Sequence, residues 1–558
     1  MATAADEVAT PGAYGGPVDP DALLSQLNPA QHEAVTSAAA PLAVLAGAGS
    51  GKTRVLTHRI AWRAATDQVD PRRVLALTFT RKAAGELRAR LRRLGLRDDV
   101  ASGTFHALAY AQLRSRWADR GVDPPTLLDR KAGFVARLLS TSSGSVTVRE
   151  VVSEIEWAKA RTVQPDDYPG AATRSGRTSS IDLGLVAEAF QRYEDEKRRR
   201  RMVDFDDLLR LCRRDLEHDE DFGAAQRWRF RHLFVDEFQD VNPLQYGLLL
   251  AWLGDRTDLC VVGDPNQAIY AWNGADAAYL RRFTELHPTA EVVVLEDNYR
   301  SSPQILGVAN AVLGGGPRHP IDPATSVVAV RRLRANRPDG ELPSITRFDD
   351  DAAEAAGVAR AVRDHHRPGA AWSTQAVLVR TKAQIALLEP ALRAVHIPFR
   401  VRGGAALGDQ PEVKERLAAL HRSPGPFSNA LADLEADLGP AVDEGTIAGR
   451  AGGGSGGAGG GAGAATGSLS PQRRANVEAL IRLGHDYLAL DPSPTTTGFL
   501  AWLADTTRAD QPDVGGDAVE LCTFHAAKGL EWPVVHLAGL EQGLVPIAHA
   551  RTAAEHEE

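Results

Sequence analysis

The chain has 558 residues, 43% of them hydrophobic and 24% charged, the make-up of a globular protein long enough for several domains. It contains no run of about 18 apolar residues, so no membrane-spanning helix is expected. The formal net charge of −8 argues against indiscriminate coating of nucleic acid but leaves room for a local basic channel. Cys212, Cys260 and Cys522 lie too far apart in sequence to suggest a metal cluster or a disulfide framework, and they suit a reducing cytoplasm.

The opening stretch "MATAADEVATPGAYGGPVDP" lacks the basic region and apolar core of a signal peptide, and a disordered tail is expected over residues 1–22. Next comes "PLAVLAGAGSGKTRVLTHRI". Its apolar run Leu42–Leu45 reads as a buried strand. Ala46, Gly47, Ala48, Gly49, Ser50 and Gly51 then lead into Lys52 and Thr53. This is the P-loop pattern with Ala46 in place of the first glycine. Small residues let backbone N–H groups face a polyphosphate, and the following helix adds its positive N-terminus. Lys52 can reach the β and γ phosphates, and the Thr53 hydroxyl can ligate Mg²⁺.

"RVLALTFTRKAAGELRARL" is strand-like through Leu77, then polar and aromatic at Thr78, Phe79 and Thr80, with a helix from near Lys82. "GTFHALAY" repeats the Thr-Phe pair at Thr104 and Phe105 and adds His106. Residues 116–199 hold no nucleotide motif and read as amphipathic helices, which marks an insertion. Its basic run Lys197–Arg201 either touches nucleic-acid phosphates or is a solvated helix end with cations at its C-terminus.

In "LFVDEFQD" an apolar strand ends at two adjacent acids. With a P-loop elsewhere in the chain, Asp236 suits Mg²⁺, Glu237 suits the base that activates a water, and Gln239 could sense the γ-phosphate. "VVGDPNQAIYAWNGAD" supplies another strand, then Gln267, Tyr270 and Trp272. Aromatics at strand ends serve either as stacking platforms for single-stranded bases or as core. In "LEDNYRSSPQIL", Arg300 is either an arginine finger or a surface cation. Residues 448–468 are glycine-rich and cannot bury a core.

Taken together, "LNPAQHEAV", "AGAGSGKT", "LALTFTRKAAGEL", "GTFHAL", "MVDFDDLL", "FVDEFQD", "VGDPNQAIYAWNGA", "LEDNYRSS", "VLVRTKAQ" and "TFHAAKGLEWPVV" resemble the superfamily 1 helicases of the UvrD/Rep/PcrA type, in order and in spacing, from about Leu27 to Pro546. The resemblance implies an α/β fold of two RecA-like domains with parallel sheets, each carrying a mostly helical insertion. On this basis the first RecA-like domain is expected over 23–115 and 200–288, with its insertion at 116–199. The second is expected over 289–403 and 515–558, with its insertion at 404–514.

The implied activity is ATP-dependent, Mg²⁺-requiring translocation 3′→5′ on single-stranded DNA, with unwinding of 3′-tailed duplex, in repair or replication restart. By the same resemblance Gln31 would read the adenine edge, Arg54 would lie beside the ring and Tyr299 would stack on it. Gln267 would couple phosphate state to DNA, and Arg300 would be the finger. Phe79, His106, Tyr270 and Trp272 match positions along the DNA path. His525 falls in a loop linking ATP to DNA, and Glu531 matches a ribose-contacting acid. The sequence stops where the family's last motif, with a second arginine finger, is expected. A fragment of a longer helicase is therefore expected, with hydrolysis lowered by on the order of 10³–10⁵. The alternatives are an ATP- and DNA-binding fragment with little turnover, or the motor subunit of a helicase–nuclease complex.

Overall fold

The computed structural model describes residues 18–96, 100–128, 131–139, 145–177, 179–315, 332–402, 410–423, 425–438, 471–490, 494–496, 498–500, 503 and 517–546. The glycine-rich segment 448–468 lies outside the described residues. The chain forms two compact units that divide, for most of its length, between Ile345 and Thr346.

The first unit is built on a six-stranded parallel sheet. Its strands run in the spatial order Ala101–Thr104, Val74–Thr78, His232–Val235, Leu259–Gly263, Leu42–Ala46 and Glu291–Leu295. The central strands are unbroken apolar runs because helices cover both faces. Side chains alternate between those faces. Ala43 and Leu45 join a core with Phe105, Leu249 and Trp252, whereas Leu42 and Val44 join one with Val55, Ile60 and Leu87.

The structure corrects two expectations. The domain boundary expected at 289 falls inside this unit: Glu291–Leu295 pairs with Leu42–Ala46 as the edge strand of the first sheet. The tail expected through residue 22 also ends sooner. Asp19 caps a short helix, Pro20–Leu24, by accepting from the Asp21 N–H, and Leu23 is buried in the core beside the P-loop helix. Residues 1–17 lie outside the described residues.

Among the described residues between 131 and 199, helices Lys131–Leu138, Ser145–Ala160, Tyr168–Arg174 and Leu183–Arg199 pack around Phe134, Ile155, Trp157, Tyr168, Phe190 and Tyr193. A buried ionic cluster ties them to helix Phe205–His218. Lys159 Nζ lies 2.7 Å from both Asp204 Oδ2 and Asp207 Oδ1, and Lys197 Nζ lies 3.0 Å from Asp204 Oδ2 and 2.5 Å from Asp207 Oδ2. Glu194 accepts from both ammonium groups, and the Tyr193 hydroxyl donates to Asp204 Oδ2. The carboxylates of Glu194, Asp204 and Asp207 are close enough together to hold a cation. Two lysines already fill that role. Of the basic run at 197–201, Lys197 is thus buried, and Arg198, Arg199 and Arg200 pair with Asp195 and Glu196 on their own helix.

The second unit holds a four-stranded parallel sheet in the order Phe399–Val401, Val519–Thr523, Gln375–Val379 and Val534–Leu537. Helices Asp351–His365 and Lys382–Ala394 pack on it through Val358, Val362, Ile385, Leu388 and Leu392. Buried Glu520 receives Arg400 and Arg402 from the neighbouring strand and the residue beyond it. Helices Pro411–Arg422, Phe427–Leu438 and Pro471–Leu490 form a separate core around Phe427, Leu431, Tyr487 and Phe499. The α/β class with two parallel sheets is the one expected. No helix among the described residues is long and apolar enough to cross a membrane.

One acid on the first sheet makes the fold sensitive to pH. Asp258 accepts two bonds from Arg63, at 3.0 and 3.1 Å, and its Oδ2 lies 2.6 Å from His232 Nδ1. Although burial opposes ionisation, these contacts bring its pKa down to about 2. Because the folded value lies below the unfolded one, the stabilisation is complete above about pH 4 and is lost as pH falls towards 2. Asp258→Asn is expected to cost about 2 kcal/mol at pH 7. Urea denaturation of parent and variant at pH 7 and pH 3 checks this; the gap should narrow at the lower pH.

Candidate active site

In a parallel α/β sheet, ligands gather outside the carboxyl ends of the strands. The P-loop, the Asp236–Glu237 pair, the Gln267 turn and the aromatics after Thr78 and Thr104 all follow such ends.

Strand Leu42–Ala46 feeds helix Lys52–Ala65 through a turn whose shape depends on glycine. Gly51 has φ +89° and Gly49 has φ +65°. A Cβ at Gly49 would stand 2.6 Å from Arg300 Cβ and 2.8 Å from Asn298 Nδ2, so the P-loop and the 298–300 segment are in close contact. The Ser50 hydroxyl donates to Gly47 O, which tightens the loop.

Lys52 Nζ donates to Gln267 Oε1 at 3.0 Å, and Gln267 in turn donates to Asp264 Oδ2 at 2.7 Å. The Thr53 hydroxyl donates to Asp236 Oδ2 at 3.1 Å. Asp236 is buried. Burial first, and the neighbouring Glu237 carboxylate second, push its pKa up to about 6, against the downward pull of Lys52 and Thr53. A hydroxyl and a carboxylate side by side are hard oxygen donors, the set that Mg²⁺ takes together with phosphate oxygens. The residues present therefore fit Mg²⁺ and a nucleotide triphosphate.

Glu237 is a non-glycine residue at φ +52°, a strained conformation found mostly where surrounding contacts over-determine it. Gln239 supplies such contacts: its Nε2 donates to Glu237 Oε2 at 2.5 Å, and its Oε1 accepts from the Asp264 N–H at 2.9 Å. Gln239 thus braces the second acid and joins it to the strand that leads to Gln267.

Gln31 is buried, and its amide donates to Ser50 O at 2.9 Å. Tyr299 is exposed beside it and accepts from Asn28 Nδ2 at 2.7 Å, while its backbone N–H donates to Gly49 O. Arg54 extends to Gln26 O at 3.0 Å. Arg300 is exposed and follows directly, with its N–H bonded to Asn298 Oδ1. Two anchoring residues were missed in the sequence: Asn28, which also caps the helix holding Gln31, and Asn298, whose Nδ2 donates to Ala48 O at 2.6 Å. The "NPAQ" spacing of a capping box was the available signal for the first.

Phe79 is partly buried and packs 6.2 Å from Phe105, centroid to centroid. His106 sits edge-on to Phe205 at 6.2 Å. Tyr270 is half-buried, whereas Trp272 stands exposed with its carbonyl accepting from Arg177 of the helical insertion. His525 and Glu531 lie in the second unit. There His525 Nδ1 is 3.2 Å from Arg380 Nη1, and burial and the nearby cations Arg380 and Lys528 lower its pKa; Glu531 is exposed.

Residues 27–288 match the UvrD/REP helicase N-terminal domain, and residues 293–431 and 458–558 match the UvrD-like helicase C-terminal domain. The chain belongs to the UvrD/Rep helicase family. This helicase is 39% identical over 551 residues to the ATP-dependent DNA helicase UvrD2 of Mycobacterium tuberculosis (strain ATCC 25618 / H37Rv), covering 95% of this chain and 75% of that one. It is 31% identical over 616 residues to the ATP-dependent DNA helicase PcrA of Bacillus subtilis (strain 168), covering 96% and 80%. The two sheets of the helicase are accordingly RecA-like, and the enzyme is a DNA helicase with an ATPase site.

Proposed function

We propose that this helicase is an ATP-driven translocase that moves 3′→5′ on single-stranded DNA and opens 3′-tailed duplex, in the cytoplasm, in DNA repair or replication restart. The observation that supports it best is the bond between Lys52 and Gln267. It ties the phosphate-binding lysine to the turn that runs on to Tyr270 and Trp272. An arriving γ-phosphate competes for the Lys52 ammonium and frees Gln267, so phosphate state reaches the aromatic segment.

In this reading Gln31, Arg54 and Tyr299 hold the adenine. The P-loop N–H groups and Lys52 hold the phosphates, with Gln239 reporting on the last of them. Thr53 and Asp236 hold Mg²⁺, which offsets charge on the transferred phosphoryl group. Glu237 orients the attacking water and takes its proton, and Arg300 adds a cation opposite Lys52. Phe79, His106, Tyr270 and Trp272 line the DNA path, where successive bases stack and release. The three cysteines are buried free thiols, in keeping with a reducing compartment.

Strand displacement with matched 3′-tailed and 5′-tailed duplexes tests the proposal. Opening of the 3′-tailed duplex alone is expected, and opening only of the 5′-tailed one would overturn the direction.

A further inference from the structure

At the opposite end of the first sheet, where its central strands begin, there is an arginine-rich cavity of about 670 Å³ lined by Arg227, Trp228, Arg231, Asp255, Arg256 and Asp258, among others. It is built where strands His232–Val235 and Leu259–Gly263 start and where helices Glu220–Arg229 and Pro243–Leu253 end. It is therefore separate from the nucleotide site.

Most of its charge is committed to structure. Arg256 donates to four carbonyls at these helix ends, those of Leu253, Arg227, Phe230 and Trp252. Asp258 is held by Arg63 and His232. Arg73 lies 3.3 Å over the Trp228 ring and donates to its carbonyl.

Two charges remain uncommitted. Arg231 is exposed, and among the described residues its guanidinium has no hydrogen bond or ion pair; the same holds for the exposed Asp255 carboxylate. Among the described residues Arg227 makes only long bonds, at 3.3 and 3.4 Å, to Leu216 O and Ala251 O. Trp228 is 58% exposed in the wall between them. Burial first, then the like charge of Arg227 and, more weakly, of Arg231, lower the pKa of Arg256 against an upward pull from Asp258, so an anion entering here would relieve repulsion.

We propose that this cavity docks a short acidic and apolar segment of a protein partner, with a carboxylate on Arg231 and Arg227 and an apolar side chain against Trp228. Exposed Trp and Arg side by side are the residue types that carry most energy at protein interfaces. A cavity of this size accepts a few side chains. The carboxylates of Asp255 and Asp258 in the wall disfavour a run of phosphates but leave room for a peptide, whose positive or N–H groups can meet Asp255.

Fluorescence anisotropy of the full chain with a labelled peptide of alternating Asp and Phe tests this. Saturable, salt-sensitive binding is expected, weakened about tenfold or more by Arg231→Glu and also by Trp228→Ala. ATP turnover should be unchanged in Arg231→Glu, and a peptide of alternating Lys and Phe should not bind. Both replaced side chains are exposed, so the fold should survive; an unchanged melting temperature verifies it. Absence of saturable binding, or equal binding by parent and Arg231→Glu, would overturn the proposal. So would an Arg231-dependent binding of single-stranded oligonucleotide that displaces the peptide, since the cavity would then be a nucleic-acid surface.

Discussion

Glu237→Gln is expected to lower DNA-stimulated ATP turnover by about 10²–10⁴-fold, the usual worth of a positioned general base. Nucleotide affinity should stay within a few-fold of the parent. The substitution keeps the size of the side chain and its bond to Gln239 Nε2 through the amide oxygen. It removes only the basicity. Lys52, Thr53 and Asp236, to which we assign the phosphate and Mg²⁺ contacts, are untouched and keep their bonds to Gln267 and to each other. Single-turnover hydrolysis together with binding of a fluorescent nucleotide separates the two effects. A variant that hydrolyses ATP at the parental rate would mean that another group accepts the proton. One that no longer binds nucleotide would mean that the left-handed backbone at Glu237 had shifted and taken Asp236 with it, because the Glu237 N–H bonds Asp236 Oδ1.

The parts of this site that could be read in the sequence are those whose physics is local. The P-loop needs small residues next to a strand and a helix, and "AGAGSGKT" after Leu42–Leu45 shows all of it within a few positions. The DE pair stands out because two adjacent charges end an apolar run. What could not be read depends on distant partners. Nothing near Lys52 indicates that its ammonium reaches Gln267, and nothing near Asn298 indicates that it clasps Ala48. Asn28 and Asn298 look like ordinary turn and cap residues, since short polar side chains bond locally as readily as at long range. The domain boundary shows the same limit: Val292–Leu295 is recognisable as a strand, but its apolar pattern does not say which sheet it joins. "MVDFDDLL" also stood out as a motif without a physical role. That role depends on lysines from two helices of the insertion.

Lys159→Met should destabilise the fold more than Asp258→Asn does, by roughly 3–5 kcal/mol near neutral pH, the cost of breaking a buried charge pair from one side. Methionine fills similar volume, so packing beside Tyr193 changes little. The loss is electrostatic. In the parent, Lys159 and Lys197 lie between the carboxylates of Asp204, Asp207 and Glu194. Burial alone would raise Asp204 and Asp207, yet the lysines hold both below the ordinary carboxylate value, Asp204 well below it. Their contribution is therefore present at neutral pH and is lost only as pH falls below the usual carboxylate range. With Lys159 removed, Asp204 and Asp207 keep Lys197, with the charge of Lys131 also acting on Asp204, and the pKa values of these two acids rise. Acidification to pH 5 then protonates a carboxylate in the variant but not in the parent, and the deficit should shrink. Thermal melts at pH 7.5 and pH 5 measure this directly. A large deficit at the higher pH that falls at the lower one is expected. A deficit below about 1 kcal/mol, typical of an exposed pair, or one that does not change with pH, would mean that Lys159 contributes through its hydrocarbon stem alone. The same cluster joins the insertion helices to the N-terminus of Phe205–His218, where Asp204 and Asp207 form the capping box. Detachment should therefore show first as faster hydrogen exchange in Ser145–Ala160 and Leu183–Arg199, with the strands of the first sheet still protected.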